Sequence, residues 1–316
     1  MSQRSEPSVR PPGILRDEDL SGVVAAADDV AVRSQTTFVR GMRVHYTLLV
    51  LAALCGTFSI PLPGSGADIV AVLGAVCFGA SLLLRVYLNT KDSESHWLRA
   101  RSVAESAKAD SWRFAVRGAP FGPELDGPRA RRMFLAAQND EIADLGVTLA
   151  THGQNLEYVT RAMSDLREAD FTTRRDAYIT GRIVEQMTWY ARKSRRHGVL
   201  ADRWFLAMLL AEAAGLAAAV LKAANIIDLD LLGVFGALAA VFGAWSQMRQ
   251  HRKTHEIYGR TASHLATLVA WSREGIAEAD WTTFVARAEA VLADELTTWQ
   301  SLRTAEPGRT PDESVG

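Results

Sequence analysis

Four long apolar runs, grouped as two closely spaced pairs some 160 residues apart, constrain this chain more than any other feature. They are Val44 to Ile60 with Ala67 to Leu88, and Trp204 to Ile227 with Leu229 to Met248. A hydrocarbon core about 30 Å thick is crossed by roughly 20 helical residues rising about 1.5 Å each. The last three runs reach that length, whereas the first stops at Pro61 after 17 residues and has to draw on the region from Arg43 to Tyr46. Lipid offers no partner to a free amide or carbonyl, so a spanning segment must close its backbone hydrogen bonds internally. Two such runs joined by a short loop fold as a helical hairpin. The expected fold class is an all-α integral membrane protein with two transmembrane helical hairpins, four spans in all, and long cytoplasmic helical extensions.

Charge placement sets the expected topology. Arg33, Arg40 and Arg43 precede the first span, and Lys91, Arg99 and Arg101 follow the second. Arg192, Lys193, Arg195, Arg196 and Arg203 precede the third, and Arg249, Arg252 and Lys253 follow the fourth. The connecting loops, Pro61 to Gly66 and Ile227 to Asp230, carry no basic residue. Lys and Arg collect on the cytoplasmic flanks of membrane helices, so both hairpins are expected to dip outward and return, leaving both termini and the central segment in the cytoplasm. The preference for arginine over lysine is in keeping with a bacterial genome rich in G and C, which places the chain as a multi-pass protein of the bacterial inner (plasma) membrane. The net charge of −1 gives no field that would gather nucleic acid. Met1 to Asp19 is polar and proline-containing, and the first span is followed by a return span rather than a cleavage site, so no cleavable signal peptide is expected. Cys55 and Cys77 fall inside spans and read as small apolar residues, not as a disulfide or metal site.

The rest of the chain divides around the hairpins. Residues 1–24 and 304–316 are rich in Pro, Ser and charge and are expected to be disordered. A first hairpin unit covers 25–125, a cytoplasmic helical connector 126–170, and a second hairpin unit 171–303. Polar helices from Ala25 and from Ala177 should run straight into the first and third spans. On the far side, Lys91 to Val116 should continue the second span with a seam of small residues at Ala100, Ala104, Ala107 and Ser111. Gln250 to Ile276 should continue the fourth, with Ile257, Thr261, Leu265 and Leu268 on one stripe. The hexad at Glu168 to Thr173 is echoed at Glu278 to Thr283, with Phe171 replaced by Trp281, so an internal duplication of one cytoplasmic helix is an open reading.

Three residues stand out inside or beside the spans. Glu212 lies about eight residues, or roughly 12 Å, inside the third span, where an ionisable group costs a few kcal/mol unless paired or hydrated. It is the first candidate for a pore-lining or gating group; the competing reading is a protonated carboxyl or a pair with Arg85. Arg85 and Lys222 are secondary pore or gating candidates, nearer the interfaces, where long cationic side chains snorkel toward water. Two seams of small residues, Gly233, Ala237, Ala240 and Ala244, and Ala71, Ala75 and Gly79, would let membrane helices approach closely, within a hairpin or between protomers. Trp204 and Trp245 read as interfacial belt residues. His251 and His255 share a helix face at i and i+4, which is better read as a solvated face than as a metal site. The absence of a Gly-rich phosphate loop, of a nucleophile elbow and of a convergent His/Asp/Ser set argues against an enzyme, and no cofactor or metal is expected.

A polar lead-in helix, an outward hairpin, a long exit helix and a terminal Trp-bearing helix succeed one another in this chain. Tyr178, Arg182, Gln186, Trp189, Tyr190 and Lys193, followed by Trp204 at the membrane, form one ordered motif. Trp97, Arg101, Ala104-Glu105-Ser106, Lys108, Trp112-Arg113 and Pro120-Phe121 form another. This layout resembles the SLATT group of two-transmembrane effector domains associated with bacterial nucleotide-signalling conflict systems, present here as two units in tandem over most of residues 25–303. The resemblance implies a pore-forming or membrane-perturbing effector, an ion channel of the defence or stress type, that forms a homo-oligomer in the lipid bilayer and answers a cytoplasmic cue. No nucleotide-synthesising or nucleotide-sensing domain is fused to it, so a sensor would be a separate nucleotide-signalling protein or the cytoplasmic helices themselves. The alternative is a non-conducting scaffold or receptor that recruits a cytoplasmic partner.

Overall fold

The computed structural model describes residues 14–61, 67–91, 93–145 and 156–304. Among the described residues the protein is helical, with one isolated β-bridge between Pro61 and Asp68 and no strand. The helices are α1 (Gly22–Cys55), α2 (Ile69–Thr90), α3 (Ser93–Ala115), α4 (Gly127–Leu145), α5 (Arg161–Glu168), α6 (Phe171–Tyr178), α7 (Glu185–Ala223), α8 (Leu232–Arg249), α9 (His251–Arg273) and α10 (Trp281–Thr304). A π-helical turn, Ile179–Val184, joins α6 to α7 without interrupting the helical path. The chain divides into two compact units. A hairpin unit comprises Val32–Trp97 and Ser194–Glu256; a core unit comprises the chain up to Ala31, Leu98–Lys193 and the chain from Ile257.

In the hairpin unit the usual distribution of a water-soluble protein is inverted. Large apolar side chains are exposed along α2 (Val72, Leu73, Val76, Phe78, Leu82, Leu83) and along α7 (Phe205, Leu206, Leu209, Leu210, Leu216, Val220). An apolar surface of that extent needs a non-aqueous neighbour. α1, α2 and the helical run Phe171–Ala223 are long and apolar enough to cross a membrane. α8, at 18 residues, rises about 27 Å. The interior of this unit is small: Phe38, Met42 and Leu88 are buried, with Tyr46, Leu84 and Trp245 packed around them. Trp245 meets Trp204 at 6.0 Å and Tyr46 at 6.3 Å, and the Arg43 guanidinium lies 5.6 Å above its ring, so these aromatic residues form one cluster. At Gly41 a Cβ would stand 2.6 Å from Leu88, and at Gly74 3.0 Å from the Cys55 Cβ, so these glycines set the close approach of α1 and α2.

The lead-in helices behave as the sequence suggests, since α1 and the run from Phe171 to Ala223 continue without a break into their apolar segments. The exit helices do not. α2 stops at Thr90, with Lys91 as its C-cap, and α3 starts anew at Ser93. α8 stops where Gln250 adopts a left-handed conformation (φ +47°); its N–H closes onto Ser246 and Gln247, and its carbonyl accepts from Thr254 at the start of α9. The continuous exit arms expected from periodicity are therefore replaced by two interrupted helix pairs. The apolar helices also end early, α1 at Cys55 and α7 at Ala223, because the remaining residues form the hairpin connections. Most of the first connection, Pro63 included, and residues 1–13 and 305–316, where disorder was expected, lie outside the described residues. Residues 14–24, assigned by composition to a disordered end, are instead ordered: Leu15, Leu20, Val23 and Val24 are buried, and Gly22 donates to the Glu157 carbonyl at 2.8 Å.

The core unit has a conventional interior. The small-residue seam of α3 is fully used, with Ala100, Ala107 and Ser111 at 0% exposure, and the stripe Ile257, Thr261, Leu265 and Leu268 of α9 is likewise buried. Trp112, Tyr178, Trp281 and Phe284 form a chain of ring contacts with centroids 5.6 to 5.9 Å apart. The two hexads pack on each other through Phe171 and Trp281 at 5.6 Å, and Arg174, just after the first hexad, pairs with Glu278 of the second at 3.0 Å. The end of α3 shows how an aromatic interior receives a helix terminus. Arg117 is left-handed (φ 55°), and Gly118 donates back to the Arg113 carbonyl at 2.8 Å, a Schellman closure. The remaining end carbonyls accept from side chains: Phe114 from Arg167, and Val116 from Trp281 and Arg174. Burial and the nearby Arg117 and Arg174 charges push the Arg167 guanidinium down to about 10.

A Cβ on Gly118 would stand 2.5 Å from Cγ1 of the fully buried Val285. Gly118→Ala should therefore destabilise the core unit by about 1–3 kcal/mol through overpacking, read as a lower unfolding midpoint in detergent-solubilised protein.

Candidate functional site

The most concentrated chemistry lies inside the core unit, where α3, the π-turn with α7, and α10 converge. The π-turn carries one residue more than an α-turn, a feature common at functional positions. Gly181 within it lies close enough to Ile14 and Trp112 that a Cβ would reach 3.0 and 3.1 Å from them. This close seat turns Arg182 inward. Its Nε and Nη2 donate to the two carboxylate oxygens of Glu289 at 3.2 and 2.9 Å, and Tyr178 donates its hydroxyl to Oε1 at 2.9 Å. Arg182 is 2% and Glu289 1% exposed. Burial works against the charged form of Arg182, but the Glu289 carboxylate outweighs it and holds the guanidinium above its ordinary value. Burial and the same carboxylate raise the Tyr178 hydroxyl well above its usual range.

Two turns along, Tyr190 donates to Glu295 at 3.0 Å. Burial pushes the Glu295 carboxyl up to about 7, against the opposing pull of Arg101 and of the Tyr190 hydrogen bond. Arg101 pairs with Glu105 at 3.6 Å, Arg113 with Asp110 at 3.1 Å, and Ser106 donates to Glu141. Between these groups is a cavity of about 240 Å³, lined on α3 by Ser102, Glu105, Ser106, Ala109 and Arg113, and on the other helices by Arg182, Tyr190, Glu289, Leu292, Ala293, Glu295 and Thr297. Two guanidinium nitrogens of these residues, Arg182 Nη1 and Arg113 Nε, are shut off from solvent-sized space and have no hydrogen-bond partner among the described residues.

The motif singled out in the sequence is therefore brought together in part. Tyr178, Arg182 and Tyr190 face α10. Trp189 and Tyr190 pack with Tyr258, rings 4.9 to 5.6 Å apart, Lys193 lies 5.3 Å above Trp189, and Gln186 is half-buried. Glu289 and Glu295 escape a sequence reading. On an amphipathic helix a carboxylate is usually solvated, and the only signal is that Glu289 falls one position from Ala288 on the face expected to bury.

In the hairpin unit the candidates stay apart. Glu212 is exposed on α7 and has no ion-pair partner among the described residues. Arg85 contacts Met42 Sδ at 3.5 Å rather than Glu212, and Lys222 pairs with Asp230 at 2.6 Å across the α7–α8 connection. Of the small-residue seams, Ala71, Ala75, Gly233 and Ala240 are exposed, Ala237 and Ala244 are half-buried, and a Cβ at Gly79 or Gly233 would meet nothing within 4 Å. The close approach within the second hairpin falls instead at Gly215, against Phe235. His251 is not on a solvated face: it is buried, with Nδ1 3.0 Å from His197 Nδ1, and burial together with Arg249 pushes it down to about 4. His255 bonds to Ser194, and no cluster of metal-binding groups occurs among the described residues.

Comparison with known families places these observations. Residues 22–175 match the SMODS and SLOG-associating 2TM effector domain 3, and residues 178–299 match the SMODS and SLOG-associating 2TM effector domain 1. The chain is thus a tandem of two SLATT domains, and with its apolar helices it is a membrane protein. No curated protein and no solved structure matches it. The domain border at residues 176–177 splits the cavity: its α3 wall belongs to the first SLATT domain and its α7 and α10 walls to the second.

Removing one member of a buried ion pair leaves the other charged and unsolvated. Glu289→Gln should cost about 3 kcal/mol or more of stability, and Tyr178→Phe about 1 kcal/mol. Replacing Arg182 and Glu289 together by Met should cost less than Glu289→Gln alone; denaturant titration of the set decides it. The folded Glu295 carboxyl keeps its proton to higher pH than its ordinary value of 4.5. Its contribution is therefore complete below about 4.5 and is lost as pH rises through about 7. The melting temperature of the wild type should fall more steeply between pH 5 and pH 8, values on the order of that window, than that of Glu295→Gln.

Proposed function

We propose that the protein is a pore-forming or membrane-perturbing effector of a bacterial conflict or stress system. Its two hairpins act as a four-span bundle, α8 being the fourth span, in the inner membrane with both termini and the central segment of the chain cytoplasmic. The flanking arginines and the loops without basic residues support that orientation. The hairpin units 25–125 and 171–303 and the connector 126–170 serve as its working divisions. The chain acts without enzymatic activity or cofactor. It assembles as a homo-oligomer in the bilayer and opens an ion path when a cytoplasmic cue, delivered by a separate nucleotide-signalling sensor, reaches it.

Glu212 carries this reading. A carboxylate on an exposed face of an apolar helix, surrounded by Leu209, Leu210 and Leu216 and without an internal partner, is costly in lipid. It is relieved when a second protomer or a water-filled path covers that face. The open seams at Gly79 and Gly233 offer surfaces on which protomers can close. Arg85 and Lys222, nearer the ends, would flank the path.

Purified protein in planar bilayers is expected to pass ionic current, and Glu212→Ala to change its amplitude or selectivity severalfold. Electrical silence across pH and added nucleotides would overturn the proposal and favour a scaffold. A cysteine at Asp228, in a background lacking Cys55 and Cys77, should react with an impermeant reagent added outside intact cells.

A further inference from the structure

Three charged side chains fall within the apolar stretches of α1, α2, α7 and α8: Arg85, Glu212 and Lys222. Lys222 is answered within the protomer by Asp230 at 2.6 Å. Arg85 and Glu212, one of each sign, are not: both are exposed, and neither has an ion-pair partner among the described residues. The Arg85 guanidinium donates through Nη1 to Met42 Sδ at 3.5 Å, and a thioether is a weak acceptor. A charge inside a membrane span is costly unless it is paired or hydrated, and intramembrane acids and bases pair with one another.

The surroundings of the two residues match. Arg85 lies six residues inside Lys91, and Glu212 nine inside Arg203. From these basic flanks the helical rise is about 9 and about 14 Å, a difference of less than one turn that a long arginine side chain spans. On α2 the face around Arg85 carries the exposed Phe78 and Leu82; on α7 the face around Glu212 carries the exposed Leu209 and Leu216. In the orientation proposed above α2 runs toward the cytoplasm and α7 away from it, so laying one face on the other sets Leu82 against Leu216, one turn farther out. Ala213 and Ala217, exposed beside Glu212, keep that surface low enough for close approach. A twofold contact of Glu212 with its own copy would bring like charges together and leave Arg85 in lipid. A head-to-tail contact answers both groups at once.

We propose that the protein self-associates head to tail, α2 of one copy on α7 of the next, through an ion pair between Arg85 of the first and Glu212 of the second. This pairing rests on the membrane placement and self-assembly proposed above and supplies the surface through which the copies meet. Each copy offers a different face on either side, so the contact repeats from copy to copy and closes as a ring where the rotation between copies allows.

Energy transfer between donor- and acceptor-labelled full-length copies, diluted with lipid in vesicles, measures association independently of current. Arg85→Glu and Glu212→Arg should each lower the association constant on the order of tenfold, and the variant carrying both reversals should recover most of it. Mixing the two single variants should also restore transfer, since each presents the charge that the other lacks. In a background lacking Cys55 and Cys77 but with native charges, copies carrying Leu82→Cys should form disulfide-linked dimers with copies carrying Leu216→Cys; this crosslink decides the matter if a charge variant folds poorly. Unchanged association in either single reversal, no recovery in a folded double variant, or no mixed crosslink would overturn the proposal. Pair-dependent association in a protein that passes no current would leave this contact standing and sink the pore reading, and current from copies indifferent to the pair would do the opposite.

Discussion

The Arg182–Glu289 pair is the contact on which the core unit turns. Stripping a guanidinium and a carboxylate of water costs several kcal/mol per ion, recovered only when geometry and supporting hydrogen bonds are good. Here both are: two parallel N–H donors meet one carboxylate, and Tyr178 supplies a third donor. Trp112 and Trp281 pack edge-on against the ring of Tyr178, the residue that supplies that third donor. α10 can approach the π-turn in one register only, the one that puts Glu289 opposite Arg182. Shifting either helix by a single position would break all three hydrogen bonds to the buried carboxylate, so the pair contributes to register as well as to stability. The same geometry leaves Nη1 without a hydrogen-bond partner among the described residues.

Family domains and structural units divide the molecule differently. Each SLATT match runs through one hairpin and its neighbouring polar helices. Each compact unit, however, draws on both matches: the hairpin unit takes its apolar segments from α1, α2, α7 and α8, and the core unit takes α3 from the first domain and α10 from the second. The hexads at Glu168 and Glu278, similar in sequence, meet in the core unit through Phe171 and Trp281.

Much of this was legible in the residues. Three helices long and apolar enough to cross a membrane, the lead-in helices, the small-residue seam of α3 and the stripe of α9 follow from lengths and periodicities that the structure satisfies. Two kinds of feature escaped. Helix interruptions at Lys91 and Gln250 carry no Gly or Pro, and a left-handed Gln leaves no local mark in the sequence. Buried charge also escaped, since Glu289 and Glu295 find Tyr178, Arg182 and Tyr190 across more than 100 positions of chain, and no local pattern distinguishes them from solvated carboxylates. The first 24 residues mixed both lessons: the composition of a tail concealed four apolar anchors, Leu15, Leu20, Val23 and Val24.

That the two walls of the cavity come from successive domains of one polypeptide has an evolutionary consequence. Where identical subunits meet about a twofold axis, every substitution appears on both sides at once. Covalent linkage removes that restriction. Selection can then retain an arginine on one face and refine the opposing carboxylate alone, so an asymmetric pocket can be tuned one side at a time.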